Sequence, residues 1–288
     1  MPEVEPHRKA KTSEEWLVTL PSLVWLGLFF LVPTVVILIL GFKPADLTGG
    51  VAHGWTLANF RSLVSVEYAE LFWRTVWITG LTSFLCVVIA LPAGYAMARA
   101  SKRWRNMLLL LVAVPFWTNF LIRIFAWKTL LQVDGPVSAF LEWSSLFEEA
   151  PTLLYNNWAV LVVMVYTQLP FAILPIYAAA EKFDFSLLEA ARDLGASKRT
   201  AFLQVFVPGI SRGISAAAMM VFVAALGMYV IPDLVGGVDG EMIGNKIVQR
   251  VQGDRNLPVA SALAAALLLL VSGLTFGGLK AAFRREQS

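Results

Sequence analysis

The chain has 288 residues, 58% of them apolar and only 15% charged, with a formal net charge of +3. Soluble domains average about 45–50% apolar and about 25% charged, so this composition argues against a water-soluble enzyme, a disordered chain and a disulfide scaffold. The basicity is mild and is no nucleic-acid footprint, while one cysteine (Cys86) and two isolated histidines (His7, His53) form neither an intrachain disulfide nor a zinc site.

Charge-free stretches mark the elements. They lie at 16–42, 75–98, 106–122, 150–180, 213–232 and 256–279. A helix needs about 20 apolar residues to cross about 30 Å of hydrocarbon. Only the third stretch is short, and it extends to Trp127 if Arg123 snorkels toward an interface. Backbone polar groups in lipid must satisfy one another, so helices are the default. The reading is an all-α integral membrane protein with six transmembrane helices. The first is uncleaved, because no small-residue cleavage site follows it.

Cations orient the spans. Arg8, Lys9 and Lys11 precede the first. Arg99, Lys102, Arg103 and Arg105 join the second to the third. Lys182, Arg192, Lys198, Arg199 and Arg212 join the fourth to the fifth, and Lys280, Arg284 and Arg285 follow the sixth. If six helices alternate, all of these fall on one side, which the positive-inside rule makes cytoplasmic together with both termini. The 129–149 loop carries four acids and no cation. Pro33, Pro92, Pro115, Pro170 and Pro175 punctuate the spans and permit bends.

The segment 181–208, EKFDFSLLEAARDLGASKRTAFLQVFVP, reads as two short helices outside the membrane. Ser186 and Glu189 form an S-x-x-E capping box. Leu187, Ala190, Ala191 and Leu194 then make one apolar face at helical spacing. Gly195 suits a left-handed C-cap, and Ser197 caps a second helix running to Pro208. Such a short helix is too weak to stand alone in water. It either packs on this chain's own helix ends or docks on a partner.

E-A-A-x-x-x-G followed by I-x-L-P is the signature of permease subunits of bacterial type I ABC importers. Here it reads Glu189 to Gly195 and then Val205-Phe206-Val207-Pro208, with valines where that family has isoleucine and leucine. The longer string EAARDLGASK resembles the spermidine/putrescine (polyamine) permease branch. So do VPFWTNFLIRIFAW at 114–127, IPDLVGG at 231–237, Met242-Ile243-Gly244 and NLPVASA at 256–262. The resemblance runs from about Asn59 to Leu279.

It implies the ABC type I importer permease (MetI-like) fold. Residues 1–15 are then a cytoplasmic tail, and 16–58 the first helix and an outer loop. Residues 59–279 form the permease domain with the coupling loop 181–208, and 280–288 a second tail. It also implies that the loop seats in a groove of a separate ATPase dimer, which binds ATP and magnesium. The chain itself has no G-x-x-x-x-G-K-[ST] loop and no cofactor is expected on it. The other implied partners are a second, homologous permease, in a heterodimer rather than a homodimer, an external solute-binding protein and the bilayer. The solute is a polyamine such as putrescine or spermidine, with an opine, phosphonate or amino-acid-like solute as the alternative. A membrane protease lacks its His or Asp pair here, and a channel or secondary transporter its buried charges.

Candidate path residues follow from helix rise. Arg123 lies about 25 Å up the third helix, as a snorkelling anchor or an outer-mouth cation, with Trp117 and Asn119 just below as path-lining or packing residues. Asp233 lies about 32 Å up the fifth helix, with Tyr229 one turn below. Asp233 either meets an arriving cation, with Tyr229 adding a cation–π contact, or is an interfacial acid paired with Lys246 or Arg250. The glycines Gly236 and Gly237 free the backbone beyond it.

Overall fold

The computed structural model describes residues 12–46, 50–144 and 151–286. The expectations for residues 1–11, for Glu148 and Glu149 and for residues 287–288 lie outside them. The chain divides into two compact units, Met1–Leu63 with Arg250–Leu270, and Val64–Gln249 with Val271–Ser288.

In the first unit, α1 (Thr12–Leu26) continues through a π-helical turn at Gly27–Leu31 into α2 (Val32–Gly41). Trp25 and Phe30 are each 65% exposed, and of the apolar stretch Thr19–Gly41 only Gly41, at its end, is buried, as befits a lipid-facing helix. The short α3 (Ala58–Ser62) returns the chain to its end. There Asn59 Nδ2 donates to the carbonyls of Gly41 (2.9 Å) and Lys43 (2.7 Å), closing an end that would otherwise leave orphan acceptors.

The second unit is built on three helices: α4 (Val66–Arg99), α8 (Asn157–Glu181) and α12 (Ser211–Leu226). Between α4 and α8 come α5 (Lys102–Trp117), α6 (Phe120–Leu131) and α7 (Pro136–Trp143). The elements α9 (Ser186–Asp193), α10 (Lys198–Ala201) and α11 (Val207–Gly209) lead into α12. Beyond it lies α13 (Ile243–Val248); α14 (Leu257–Glu286) belongs to the first unit up to Leu270 and to the second from Val271. Cys86 and Ala90 of α4, Ala172 and Ile176 of α8, and Ala217 and Val221 of α12 are fully buried together.

Lipid provides no hydrophobic drive between helices, so close approach of small residues matters more. A Cβ on Gly213 would lie 2.3 Å from the Ala179 Cβ, and one on Gly94 2.8 Å from Ile176 Cγ2. Polar groups add to this glue. Ser83 Oγ donates to the Ala218 carbonyl at 2.8 Å, and Thr75 Oγ1 accepts from Ile243 N–H at 2.9 Å. At one end of the bundle Arg105 pairs with Glu181 at 3.0 Å.

Among the described residues three helices are long and apolar enough to cross a membrane. The number is five if each of two bent pairs counts as one span, and a shorter apolar stretch, Leu257–Gly273, opens α14. The bends correct two expectations. The third apolar stretch is no straight helix to Trp127. The chain turns by 92° between α5 and the α6–α7 segment, with Thr118 extended and Asn119 capping α6 through Leu121 N–H at 2.8 Å. Pro115 in the last turn of α5 supplies no donor there, which favours the break. The fifth stretch likewise stops at Leu226, capped by Gly227, and becomes helical again only around the π turn at Pro232–Gly236.

Candidate functional site: a helical hairpin and a broken helix

The segment after α8 folds as a helix–turn–helix. Its entry differs from the expected capping box: Ser186 is the first helical residue rather than the cap, and its N–H donates to Asp184 Oδ1 at 3.0 Å. Asp184 forms this turn because its short carboxylate reaches the amide two residues on. The Ser186 hydroxyl and N–H hold the Asp184 carboxyl below its ordinary value. Glu189 stays in the first turn, where its charge suits the positive helix end.

The turn itself matches the expectation. Gly195 has φ +91°, and Ala196 N–H donates to Ala191 O at 3.0 Å. Ser197 Oγ then accepts from Thr200 N–H at 3.1 Å. The second helix runs from Lys198 through a π turn at Phe202–Phe206 to Gly209, one residue beyond the expected end, and meets α12 at 72°.

The apolar face is redistributed. Leu188, absent from the expected face, is buried, and Ala191 is half-buried. Leu187 (50% exposed), Ala190 and Leu194 (89% exposed) point outward. Leu188 packs into an aromatic cluster that sequence periodicity did not reveal. Tyr95 of α4 meets Phe185, Phe202 and Phe206 edge-on at 5.9, 5.4 and 5.0 Å, and Phe183 meets Phe206 at 5.2 Å. The F-x-F of 183–185 and the F-x-x-x-F of 202–206 are the signal that would have found it. Gly209 is glycine for the same reason: a Cβ there would lie 2.4 Å from the Phe183 ring.

Between the hairpin and α4 opens a cleft of about 470 Å³, lined by Tyr95, Arg99, Phe185, Glu189, Arg192 and Lys198, among others. Arg99 donates to Tyr95 Oη at 2.8 Å and lies 5.7 and 5.8 Å from the Tyr95 and Phe185 ring centroids.

The path candidates fall into two groups. Trp117 (78% exposed), Asn119 and Arg123 surround the α5–α6 bend. Arg123 therefore does not lie on a continuous helix rising from Asn106. It is half-buried beside Phe120, 5.8 Å from the ring, and its Nε has no hydrogen-bond partner among the described residues. Tyr229 lies in the break after α12 and Asp233 in the π turn that follows it, joined by Asp233 N–H to Tyr229 O at 3.0 Å. Both are exposed. Asn245 Nδ2 donates to Tyr229 O at 2.9 Å, satisfying the broken backbone. Lys246 pairs with Glu67 at 3.3 Å and Arg250 with Asp254, which leaves Asp233 with no side-chain partner among the described residues. Gly237, at φ +59°, takes the backbone freedom expected of it, and both Gly236 and Gly237 also pack closely. Their Cβ positions lie 2.7 Å from Val160 Cγ2 and 2.9 Å from Tyr155 Cβ.

The described residues thus form an all-helical bundle with bent apolar helices and a short helical hairpin. The chain belongs to the family of binding-protein-dependent transport system inner membrane components, whose model matches residues 90–287. It is thus an inner-membrane ABC transporter permease, a transport subunit rather than an enzyme. Its sequence is 36% identical to the spermidine/putrescine transport system permease protein PotB of Haemophilus influenzae over 252 residues, 88% of each chain. It is 34% identical to PotB of Escherichia coli K12, covering 86% of this chain and 90% of that one. The E. coli inner membrane ABC transporter permease protein YdcU is 31% identical, covering 89% and 86%. The fold matches a chain of a bacterial ABC transporter involved in import of the acidic polysaccharide alginate, with TM-score 0.76 at 16% identity, over 94% of this chain and 96% of that one.

Proposed function

We propose that this chain forms half of the translocation path of an ATP-driven importer for a polyamine such as putrescine or spermidine. An external solute-binding protein delivers the solute, and a homologous second permease completes the path. The 181–208 loop docks on an ATPase dimer that holds the ATP and magnesium. The observation that carries the coupling role is the hairpin's two-sidedness. Leu188 fastens one side to the bundle while Leu187, Ala190 and Leu194 are left uncovered. The polyamine is supported by the 34–36% identity to the two spermidine/putrescine permeases.

The break at 227–229 supports placing Asp233 and Tyr229 on the path, with Trp117, Asn119 and Arg123 as further candidates. Irregular backbone at membrane depth is tolerated where it meets protein or water, not lipid, and Gly227 and Tyr229 are exposed. The six charge-free stretches support six spans, and the cation bias supports placing both termini in the cytoplasm.

The test is co-expression with the neighbouring transporter genes in cells lacking polyamine uptake. Labelled putrescine or spermidine should accumulate, and an ATPase should co-purify. Cysteines at Lys102 and Ser197 should label from the cytoplasm and one at Val133 from outside. Failure to capture any ATPase, or reversed labelling, refutes the reading. An active complex containing two copies of this chain and no other permease refutes the heterodimer.

A further inference from the structure

We infer that the cleft between the hairpin and α4 receives a carboxylate side chain of the ATPase, tying that subunit directly to α4. The inference rests on the docking role proposed above and adds a second contact of different chemistry. The outward Leu187–Ala190–Leu194 face offers shape and apolar area. The cleft beside it offers charge.

Three cations, Arg99, Arg192 and Lys198, line the cleft against one carboxylate, Glu189. None of the three has an ion pair with any carboxylate among the described residues. A cavity with this surplus attracts an anion. Tyr95, Phe185 and Phe202 form an aromatic wall that keeps water from one side, so an ion pair here is screened less than one on an open surface. Arg99 is held before any partner arrives, by Tyr95 Oη and by the two rings beneath it. Little side-chain freedom then remains to be lost on binding.

The occupant is a protein carboxylate rather than a free anion or a lipid headgroup. Glu189, Arg192 and Lys198 all belong to the hairpin that carries the uncovered apolar face, so whatever covers that face also covers the cleft mouth. The consequence concerns transmission. Arg192 and Lys198 move with the hairpin, but Arg99 ends α4, a 34-residue helix of the bundle core. A carboxylate gripped by all three is coupled to α4 without passing through the turn at Gly195.

The test uses the full permease complex in nanodiscs and the ATPase that co-purifies with it. Arg192→Gln/Lys198→Gln alters two exposed side chains and leaves the fold intact, and Arg99→Gln is measured separately. For the wild type, affinity should fall as salt rises from 50 to 500 mM. The double variant should bind at least about tenfold more weakly and lose most of that salt dependence. Arg99→Gln should give the same loss, and Arg192→Lys should restore it in part. Unchanged affinity and salt slope in both variants overturn the inference. If Leu194→Asp still abolishes binding in that case, the docking role survives and only the cleft contact falls. A loss seen only in nanodiscs containing anionic lipid assigns the cleft to a headgroup and likewise overturns the inference. A wild-type complex that captures no ATPase overturns both readings.

Discussion

Replacing Gly195 by alanine isolates the backbone of the hairpin turn. Gly195 has φ +91°, and nothing lies within 4 Å of where a Cβ would project. Crowding therefore contributes nothing, and the whole effect is the left-handed conformation, which costs an L-residue about 1–2 kcal/mol. Leu194 beside it is 89% exposed, so little packing holds the turn against that cost. If the ATPase binds only the native turn, the penalty appears as reduced population of the competent form, about 5- to 30-fold in affinity. Asparagine tolerates this region and should cost less, and β-branched valine should cost more. The assay is binding of the co-purified ATPase to nanodisc-embedded permease, with ATP-driven uptake in parallel. The expected order is Gly, Asn, Ala, Val. Wild-type affinity and uptake in Gly195→Ala would refute the reasoning, because the turn would then not be what the partner recognises.

Gly213→Val should act oppositely, through packing alone: its Cβ would overlap the Ala179 Cβ. Thermal unfolding of the complex should show about 1–3 kcal/mol of destabilisation, and no shift would contradict the close α8–α12 contact. For Arg105 and Glu181, which are 28% and 44% exposed, a double-mutant cycle should return less than about 1 kcal/mol of coupling. Because the Asp184 carboxyl is held below its ordinary value, its contribution is present at neutral pH and is lost as pH falls through that lowered value. Exchange of the Ser186 amide, corrected for its intrinsic rate, should show that loss of protection, and Asp184→Ala should be unprotected throughout. Asp233→Asn should cut polyamine uptake at least about tenfold while ATPase association stays intact, and unchanged uptake removes Asp233 from the path.

The hairpin was legible where its chemistry is local. Gly195 and Ser197 are placed by rules that span two or three residues, and both positions follow from the string itself. The start was misassigned because Asp184 and Ser186 compete for the same turn. Sequence spacing does not say which side chain reaches the amide first. The buried side of α9 was illegible for another reason. Leu188 is interior only because Tyr95, about 90 residues earlier, brings an aromatic surface to it. The breaks at Thr118 and Gly227 both fall inside charge-free stretches. An uninterrupted apolar stretch reports where the chain prefers lipid, not whether its backbone stays in one helix. That same error placed Arg123 and Asp233 by a rise that the chain does not follow.

The 72° junction between Lys198–Gly209 and Ser211–Leu226 makes these two segments an elbow. Its corner is stiff: Phe206 is wholly enclosed, Ile210 is 2% exposed, and Gly209 is pressed against the Phe183 ring. The forearm is about 18 Å long and the upper arm about 24 Å. Were the elbow to turn as one rigid body, a sideways push of about 3 Å at Ser197 would rotate it by about 10° and carry Leu226 through about 4 Å. Leu226 is where the helix stops and the exposed break begins. If an ATPase docks at the turn as proposed, a push there is carried to the break that begins after Leu226.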